Sequence, residues 1–150
     1  MSNILTILCP VDFSDPSRTA VTQAAELAVV LDAELILTHV VAPVLYPVAF
    51  GAAPMTGRNV EEEAKAAAEE ALQALVSELC DRGLKCSSLV EAGSPSRRII
   101  EMVRQHGIDL VVMATHGHTG IKHALLGSVA ERVVRHCLCP VLTVKQPEAA

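Results

Sequence analysis

The chain has 150 residues, of which 51% are hydrophobic and 19% charged, so it is far too apolar for an intrinsically disordered segment. Its length matches one ordinary domain, and we expect a single domain over residues 1–150. Aromatic residues make up only 2% of the chain, which argues against single-stranded nucleic-acid binding by base stacking. The net charge of −5 argues against binding to duplex phosphates.

The sequence contains no sign of membrane insertion or export. No stretch approaches eighteen consecutive apolar residues, and the N-terminus lacks the basic start of a signal peptide. Five cysteines, an odd number, fit reduced thiols better than a disulfide framework. We therefore expect a soluble, cytoplasmic protein that binds neither membranes nor nucleic acid.

Short aliphatic runs alternate with amphipathic stretches along the chain. Continuous aliphatic runs predict buried strands, and apolar residues spaced three and four apart predict helices. We predict strands at residues 4–8, 35–41, 84–91, 108–114 and 141–144, and helices at residues 15–31, 61–82, 95–106 and 128–136. The third strand alternates polar and apolar residues, which indicates a sheet edge. This βαβαβαβαβ order predicts an α/β fold with a parallel sheet, helices on both faces and ligands at the carboxyl ends of the strands.

The loop after the first strand carries a candidate binding carboxylate, Asp12. This loop contains no glycine, so the G-x-G-x-x-G pattern of a dinucleotide-binding turn is missing, and the chain has no P-loop pattern. These absences exclude an NAD(P)-dependent dehydrogenase and a P-loop NTPase. Asp12 either accepts hydrogen bonds from a sugar hydroxyl or base amine, or bonds only the neighbouring turn amides.

A stronger candidate lies after the fourth predicted strand, where Gly117 and Gly120 are followed by Gly127 and Ser128 at a helix start. Glycines let backbone amides point into a concave loop, and a helix N-terminus adds free N–H groups and its dipole. Such a loop would hold a phosphate with few cationic side chains. The alternative is that Ser128 and Glu131 form an S-x-x-E capping box and that the glycines are turn residues.

Three features together resemble the universal stress protein family. They are Pro-Val-Asp at residues 10–12, His-Val at residues 39–40, and Ala-Thr-His-Gly at residues 114–117 ahead of Gly-Ser at residues 127–128. The run at residues 125–133, followed by Cys-Pro-Val, looks like that family's C-terminal signature. The resemblance spans the whole chain. It implies an open five-stranded, Rossmann-like sheet (adenine nucleotide alpha hydrolase-like) with strand order 3-2-1-4-5.

The nucleotide-binding branch of that family carries G-x2-G-x9-G-[S/T]. This chain has Ala114 where that pattern has its first glycine. A methyl group there crowds a close backbone approach or opposes a positive φ, but it is harmless in ordinary β-region backbone. The resemblance implies an adenosine pocket lined by Pro10, Asp12 and Val40, with Met113 and Ala114 beside the ribose and Gly117, Gly127, Ser128 and Val129 at the phosphates. The implied ligand is ATP or a related adenine nucleotide, with Mg²⁺ or Mn²⁺ bound through the phosphates.

Other clusters fit a structural role better than a metal site. The histidines within residues 116–123 have spacings that can ligate zinc, but no fitting carboxylate or cysteine lies close in sequence. Cys137 and Cys139, beside His136, are better suited to packing than to ligation. We therefore expect no metal held by protein side chains alone.

The resemblance implies a stress-related regulatory homodimer that responds to nucleotide occupancy and pairs through the strand Val141–Val144. The apolar sequence of that strand agrees, although the C-terminal tail could cover the same edge instead. Residues 42–57 are the candidate moving loop. We expect a binding protein rather than an enzyme. Two other functions stay open: a slow ATP hydrolase, whose base would be Asp12 or a loop histidine, and an interaction module that binds no nucleotide.

Overall fold

A computed structural model describes residues 3–43, 57–117 and 126–147, with only the backbone of residues 57–59. Strands and helices alternate in the predicted order: β1 (Thr6–Pro10), α1 (Asp15–Leu31), β2 (Glu34–Val41), α2 (Gly57–Asp81), β3 (Cys86–Ala92), α3 (Pro95–Gln105), β4 (Leu110–Ala114), α4 (Ser128–His136) and β5 (Val141–Val144). No helix within these residues has both the length and the apolar character needed to cross a membrane. Most of the predicted moving loop lies outside the described residues, as do Gly120, His118 and His123.

All strand pairs are parallel, and the sheet order β3-β2-β1-β4-β5 confirms the predicted topology. The strand order reverses between β1 and β4. β1 pairs with β2 as far as Pro10↔Thr38, but its pairing with β4 ends at Leu8↔Val111. Pro10 has no N–H group to extend that ladder. The carboxyl ends of β1 and β4 therefore separate at the point where ligands enter such sheets.

Helices cover both faces of the sheet, each over its own apolar cluster. α1 and α2 pack on the cluster that contains Ile7 and Leu72, and α3 and α4 pack on the cluster that contains Leu8 and Val133. Adjacent strand residues such as Ile7 and Leu8 enter opposite clusters because strand side chains alternate between faces. A strand buried on both faces needs apolar side chains at most of its positions, which explains the nearly continuous aliphatic runs.

Three strands begin later than the hydrophobic runs predict, at Thr6, Cys86 and Leu110. Asp109 explains the late start of the two central strands, β1 and β4. Its carboxylate accepts hydrogen bonds from the backbone N–H groups of Leu5 (2.9 Å) and Thr6 (3.0 Å). The chain before β1 is thus bonded to a side chain of the segment before β4, and the regular ladder starts after it.

Candidate functional site

A pocket of about 500 Å³ opens at the carboxyl ends of β1, β2 and β4, between the first turns of α3 and α4. This volume lies within the range of small-molecule sites. The nine residues assigned by resemblance all line it: Pro10, Asp12, Val40, Met113, Ala114, Gly117, Gly127, Ser128 and Val129. The structure therefore brings four separate segments of the sequence into one site.

One wall of the pocket is apolar. Val40 and Met113 reach it from the sheet, and Ile99 and Val129 reach it from α3 and α4. The contribution of α3, through Pro95 and Ile99, is absent from the sequence prediction, which treated Ile99 only as a core residue. The helix start at Ser94-Pro95, directly after β3, was the available signal, because every helix start after a parallel strand lies at this end of the sheet.

Asp12 is engaged by the turn that follows it. Its Oδ1 atom accepts hydrogen bonds from the Ser14 N–H (3.0 Å) and the Ser14 hydroxyl (2.5 Å), and its own N–H donates to Ser17 Oγ (3.1 Å). The prediction that Asp12 bonds the neighbouring turn amides is therefore confirmed for its Oδ1 atom. Oδ2 lies on the other side, against the backbone of Gly117. The carboxylate thus links the β1 loop to the loop after β4.

The loop that carries Asp12 has a strained residue, Phe13, with a φ of 64°. A bulky side chain rarely adopts this left-handed conformation, and such strain persists only where surrounding contacts enforce it. The Phe13 ring lies 4.9 Å from the ring of His39, and His39 Nδ1 lies 2.7 Å from the Val11 carbonyl oxygen. Val11 N–H donates in turn to Thr38 O (2.7 Å), so β2 holds this loop in place.

Gly117 and Gly127 lie where there is no room for a side chain. A Cβ atom on Gly117 would overlap Asp12 Oδ2, and one on Gly127 would lie 3.1 Å from the Thr115 carbonyl oxygen and 3.6 Å from His116 Cα. Neither glycine has a positive φ. Glycine is therefore required here for close approach of the two loop segments, not for an unusual backbone conformation.

The N-terminus of α4 forms the end of the pocket opposite the sheet. Gly127 is the N-cap residue and Ser128 the first helical residue, so the alternative capping box at Ser128 is wrong. Glu131 pairs instead with Arg135 (2.5 Å), one turn further along the helix. Among the residues that the structure describes, no side chain caps α4.

Some backbone N–H groups at the N-terminus of α4 donate hydrogen bonds, and others have no acceptor among the described residues. Gly127 N–H donates to Thr115 O (2.6 Å), and Glu131 N–H donates to Gly127 O (2.9 Å). Within the described part of the chain, the amides of residues 128–130 have no hydrogen-bond acceptor. All three of these residues line the pocket. The donors open to an anion therefore begin at Ser128, and the Gly127 amide is not among them.

Ala114 has ordinary extended backbone. It is the last residue of β4, pairs with Val144 of β5 and has no positive φ. Its methyl group packs against the cluster under α1 and α2. The departure from the glycine pattern therefore imposes no strain on the backbone at this position.

The titratable groups that the structure describes around the pocket provide neither a reactive thiol nor a metal cluster. Burial, with a smaller effect of Cys86, raises the pKa of Cys9 to about 12, so this fully buried thiol stays protonated beneath the pocket. His116 Nδ1 lies 3.1 Å from Thr115 Oγ1. Across residues 3–43, 57–117 and 126–147, no three His, Cys, Asp or Glu side chains lie together as metal ligands would. No lysine or arginine is among the described lining residues.

Known proteins share both the sequence pattern and the fold of this chain. The model of the universal stress protein family matches residues 3–145. Universal stress protein MJ0531 of Methanocaldococcus jannaschii is 36% identical over 144 residues, which cover 95% of this chain and 82% of that protein. The solved structure of MJ0577 superposes with a TM-score of 0.85 at 27% identity, covering 99% of this chain and 100% of that one.

A further similar structure is that of a universal stress protein in complex with cAMP. It superposes with a TM-score of 0.65 at 24% identity, covering 96% of this chain and 98% of that one. At this identity the similarity shows a shared fold.

Proposed function

Since the chain belongs to the universal stress protein family, we propose that it binds an adenine nucleotide in the pocket between β1 and β4. We further propose that it acts as a cytoplasmic regulatory homodimer in a stress response, built as a single domain over residues 1–150. Nucleotide occupancy would be the signal that its partners detect.

The open N-terminus of α4 is the observation that carries this proposal. Three successive amides lack acceptors among the described residues, and they line the same pocket as Gly117 and Gly127, where the two loop segments approach closely. Helix N-termini attract anions through these N–H groups and through the helix dipole. A ligand that combines a phosphate with an apolar ring suits this end and the apolar wall formed by Val40, Ile99 and Met113.

The roles of the lining residues follow the family resemblance. Pro10, Asp12 and Val40 would line the adenosine, with Met113 and Ala114 beside the ribose. Ser128 and Val129 would donate to the phosphates through their amides, with the Ser128 hydroxyl as a further donor. Gly117 and Gly127 would border the phosphates through their backbone, because neither position has room for a side chain.

A Mg²⁺ or Mn²⁺ ion would accompany the nucleotide. Such ions prefer oxygen ligands and commonly bind through substrate phosphates and water, with few protein ligands. When bound, the ion would neutralise phosphate charge in a pocket whose described lining has no lysine or arginine.

The homodimer would form through the edge strand β5. Leu142 on this strand is 42% exposed, and Leu138 just before it is 74% exposed. An apolar edge strand that has no further strand beside it among the described residues favours pairing with a second copy. Sedimentation velocity of Leu142→Glu tests this, with Leu5→Glu as a control, because Leu5 is 62% exposed and directly precedes the central strand β1. We expect the first variant to be monomeric and the second to match the wild type. If Leu142→Glu and Leu5→Glu both remained dimeric, the β5 interface would be refuted.

Nucleotide binding is tested by extracting the purified protein for co-purified adenine nucleotide, then titrating ATP, AMP and adenosine by calorimetry with Mg²⁺ present. The proposal predicts that ATP binds at least about tenfold more tightly than adenosine, which corresponds to about 1.4 kcal/mol from the phosphates. Equal affinity for the two would contradict the role of α4. Absence of both nucleotide and heat would favour an interaction module that binds none.

Single-turnover measurement of phosphate release separates a binding protein from an ATP hydrolase. We expect no release on the scale of seconds, because the only described carboxylate in the pocket, Asp12, uses Oδ1 to bond Ser14. Release on that scale would establish an enzyme.

A further inference from the structure

The segment between α4 and β5 brings two thiols into contact. Cys137 ends α4, where its N–H donates to Val133 O (2.9 Å), and Cys139 follows after the exposed Leu138. The two Sγ atoms are 3.6 Å apart. Both side chains are half-buried against the cluster beneath α3 and α4. The pair is therefore held at the protein surface, away from the nucleotide pocket.

We propose that Cys137 and Cys139 form a redox-active dithiol that a low-molecular-weight disulfide, such as oxidised glutathione, converts to an intramolecular disulfide. A disulfide bond is about 2.0 Å long, so the two Sγ atoms must approach by about 1.6 Å, which side-chain rotation can supply. Residues two apart in sequence have Cα atoms at most about 7 Å apart, close to the range that disulfides span. No large backbone movement is needed.

The reaction balances as two thiol–disulfide exchanges. The Cys137 thiolate attacks one sulfur of the small disulfide, forming a mixed disulfide and releasing one small thiol. Cys139 then loses its proton and attacks Cys137 Sγ, releasing the second small thiol. The protein loses two protons and two electrons, equivalent to two hydrogen atoms, and the small disulfide gains them to become two thiols.

The environment of the pair sets the order of these steps. Burial, together with the neighbouring Cys137 thiol, raises the pKa of Cys139 to about 12. A thiol that stays protonated is a poor nucleophile towards an external reagent. Cys139 therefore reacts second. In that step it attacks the neighbouring Cys137 Sγ, so no encounter with a reagent from solution is needed.

Closing this bond would tie α4 to the sheet edge. Cys139 precedes Pro140, whose carbonyl oxygen accepts a hydrogen bond from Val111 N–H (3.0 Å) at the start of β5. Oxidation thus adds a covalent link between the end of α4 and the strand at the proposed dimer edge.

The test is peptide mapping of the folded protein after incubation with oxidised glutathione, an acid quench and digestion with trypsin without reduction. Cleavage after Arg135 and Lys145 leaves residues 136–145 in one peptide, with Cys137 and Cys139 as its only cysteines. We expect this peptide to be lighter by two hydrogens and to carry no glutathione. A peptide that keeps both thiols free, or that retains glutathione, would overturn the proposal.

Two variants separate the roles of the two thiols. Cys139→Ser removes the resolving thiol, so glutathione should remain on Cys137 at least about tenfold longer than in the wild type. Cys80→Ser is the matched control, since Cys80 is exposed on α2, and it should leave the disulfide between Cys137 and Cys139 unchanged. Equal release of glutathione from the wild type and Cys139→Ser would contradict the second exchange. The wild-type map decides the proposal even if a variant misfolds.

Discussion

Replacing Gly117 with alanine tests the contact between the two loops that form the pocket. The added Cβ overlaps Asp12 Oδ2, so the carboxylate must turn away. Turning it weakens the two hydrogen bonds that Oδ1 accepts from Ser14, at 3.0 Å and 2.5 Å. Hydrogen bonds to charged groups contribute about 1.5–3 kcal/mol each, so losing one lowers the free energy of unfolding by about that amount.

A double-mutant cycle measured by urea unfolding isolates this contact. In an Asp12→Ala background the overlap is gone, and Gly117→Ala should cost less than about 0.5 kcal/mol. Gly107→Ala is the matched control. Gly107 has a φ of +60°, and a Cβ atom there would have no neighbour within 4 Å, so alanine should cost about 1–2 kcal/mol from backbone strain alone. That cost should be the same in both backgrounds.

One outcome of the double-mutant cycle would contradict the contact between Gly117 and Asp12. If Gly117→Ala costs the same with and without the Asp12 carboxylate, the two loops do not meet as described. If the cycle shows the coupling, the same variant should also weaken ATP binding by at least about tenfold, because the phosphate end of the pocket includes this loop.

Three further predictions concern single residues. Ala114→Gly should lower the free energy of unfolding by about 0.5–1 kcal/mol, because glycine weakens a strand. The same variant should change ATP affinity less than about twofold. A large gain in affinity would show that the methyl group obstructs the site. Hydrogen bonds from Arg98 and Arg97 lower the pKa of Glu101, so its stabilising effect is present at neutral pH and lost as pH falls through the lowered pKa. Unfolding midpoints of Glu101→Gln should therefore depend less on acid pH than those of the wild type, and parallel profiles would exclude this linkage. Burial raises the pKa of Cys9 to about 12, so iodoacetamide at neutral pH should label the exposed Cys80 and leave Cys9 unlabelled in the folded protein. Rapid labelling of Cys9 would mean that β1 is not buried.

Local sequence patterns were sufficient for the element order, for Asp12 and for the glycine-bearing loop after β4, whereas the family resemblance supplied the other site residues. Strands buried on both faces must be apolar at consecutive positions, so the aliphatic runs of β1, β2 and β4 stand out from the amphipathic helices between them. The carboxyl ends of such strands converge, which is why Asp12, Val40 and Met113, far apart in sequence, line one pocket. The family resemblance added the strand order.

Features that depend on long-range contacts were not readable from local patterns. The S-x-x-E pattern at Ser128 predicts a capping box, but Gly127, whose N–H donates to Thr115 O and whose carbonyl accepts from Glu131 N–H, is the N-cap instead. No local rule predicts a positive φ at Phe13, which depends on packing against His39 from another strand. The late start of β1 likewise follows from the Asp109 carboxylate, about a hundred residues away.

The most direct test of nucleotide binding at α4 is an amide NMR titration of the ¹⁵N-labelled protein with ATP and Mg²⁺. The backbone resonances of Ser128, Val129 and Ala130 should shift in a saturable manner and more than those of the other α4 residues, because these are the donors without acceptors. Gly127, whose N–H already donates to Thr115 O, should keep that hydrogen bond. Saturable shifts confined to other parts of the chain, or no shifts at millimolar ATP, would contradict binding of the phosphates at this helix.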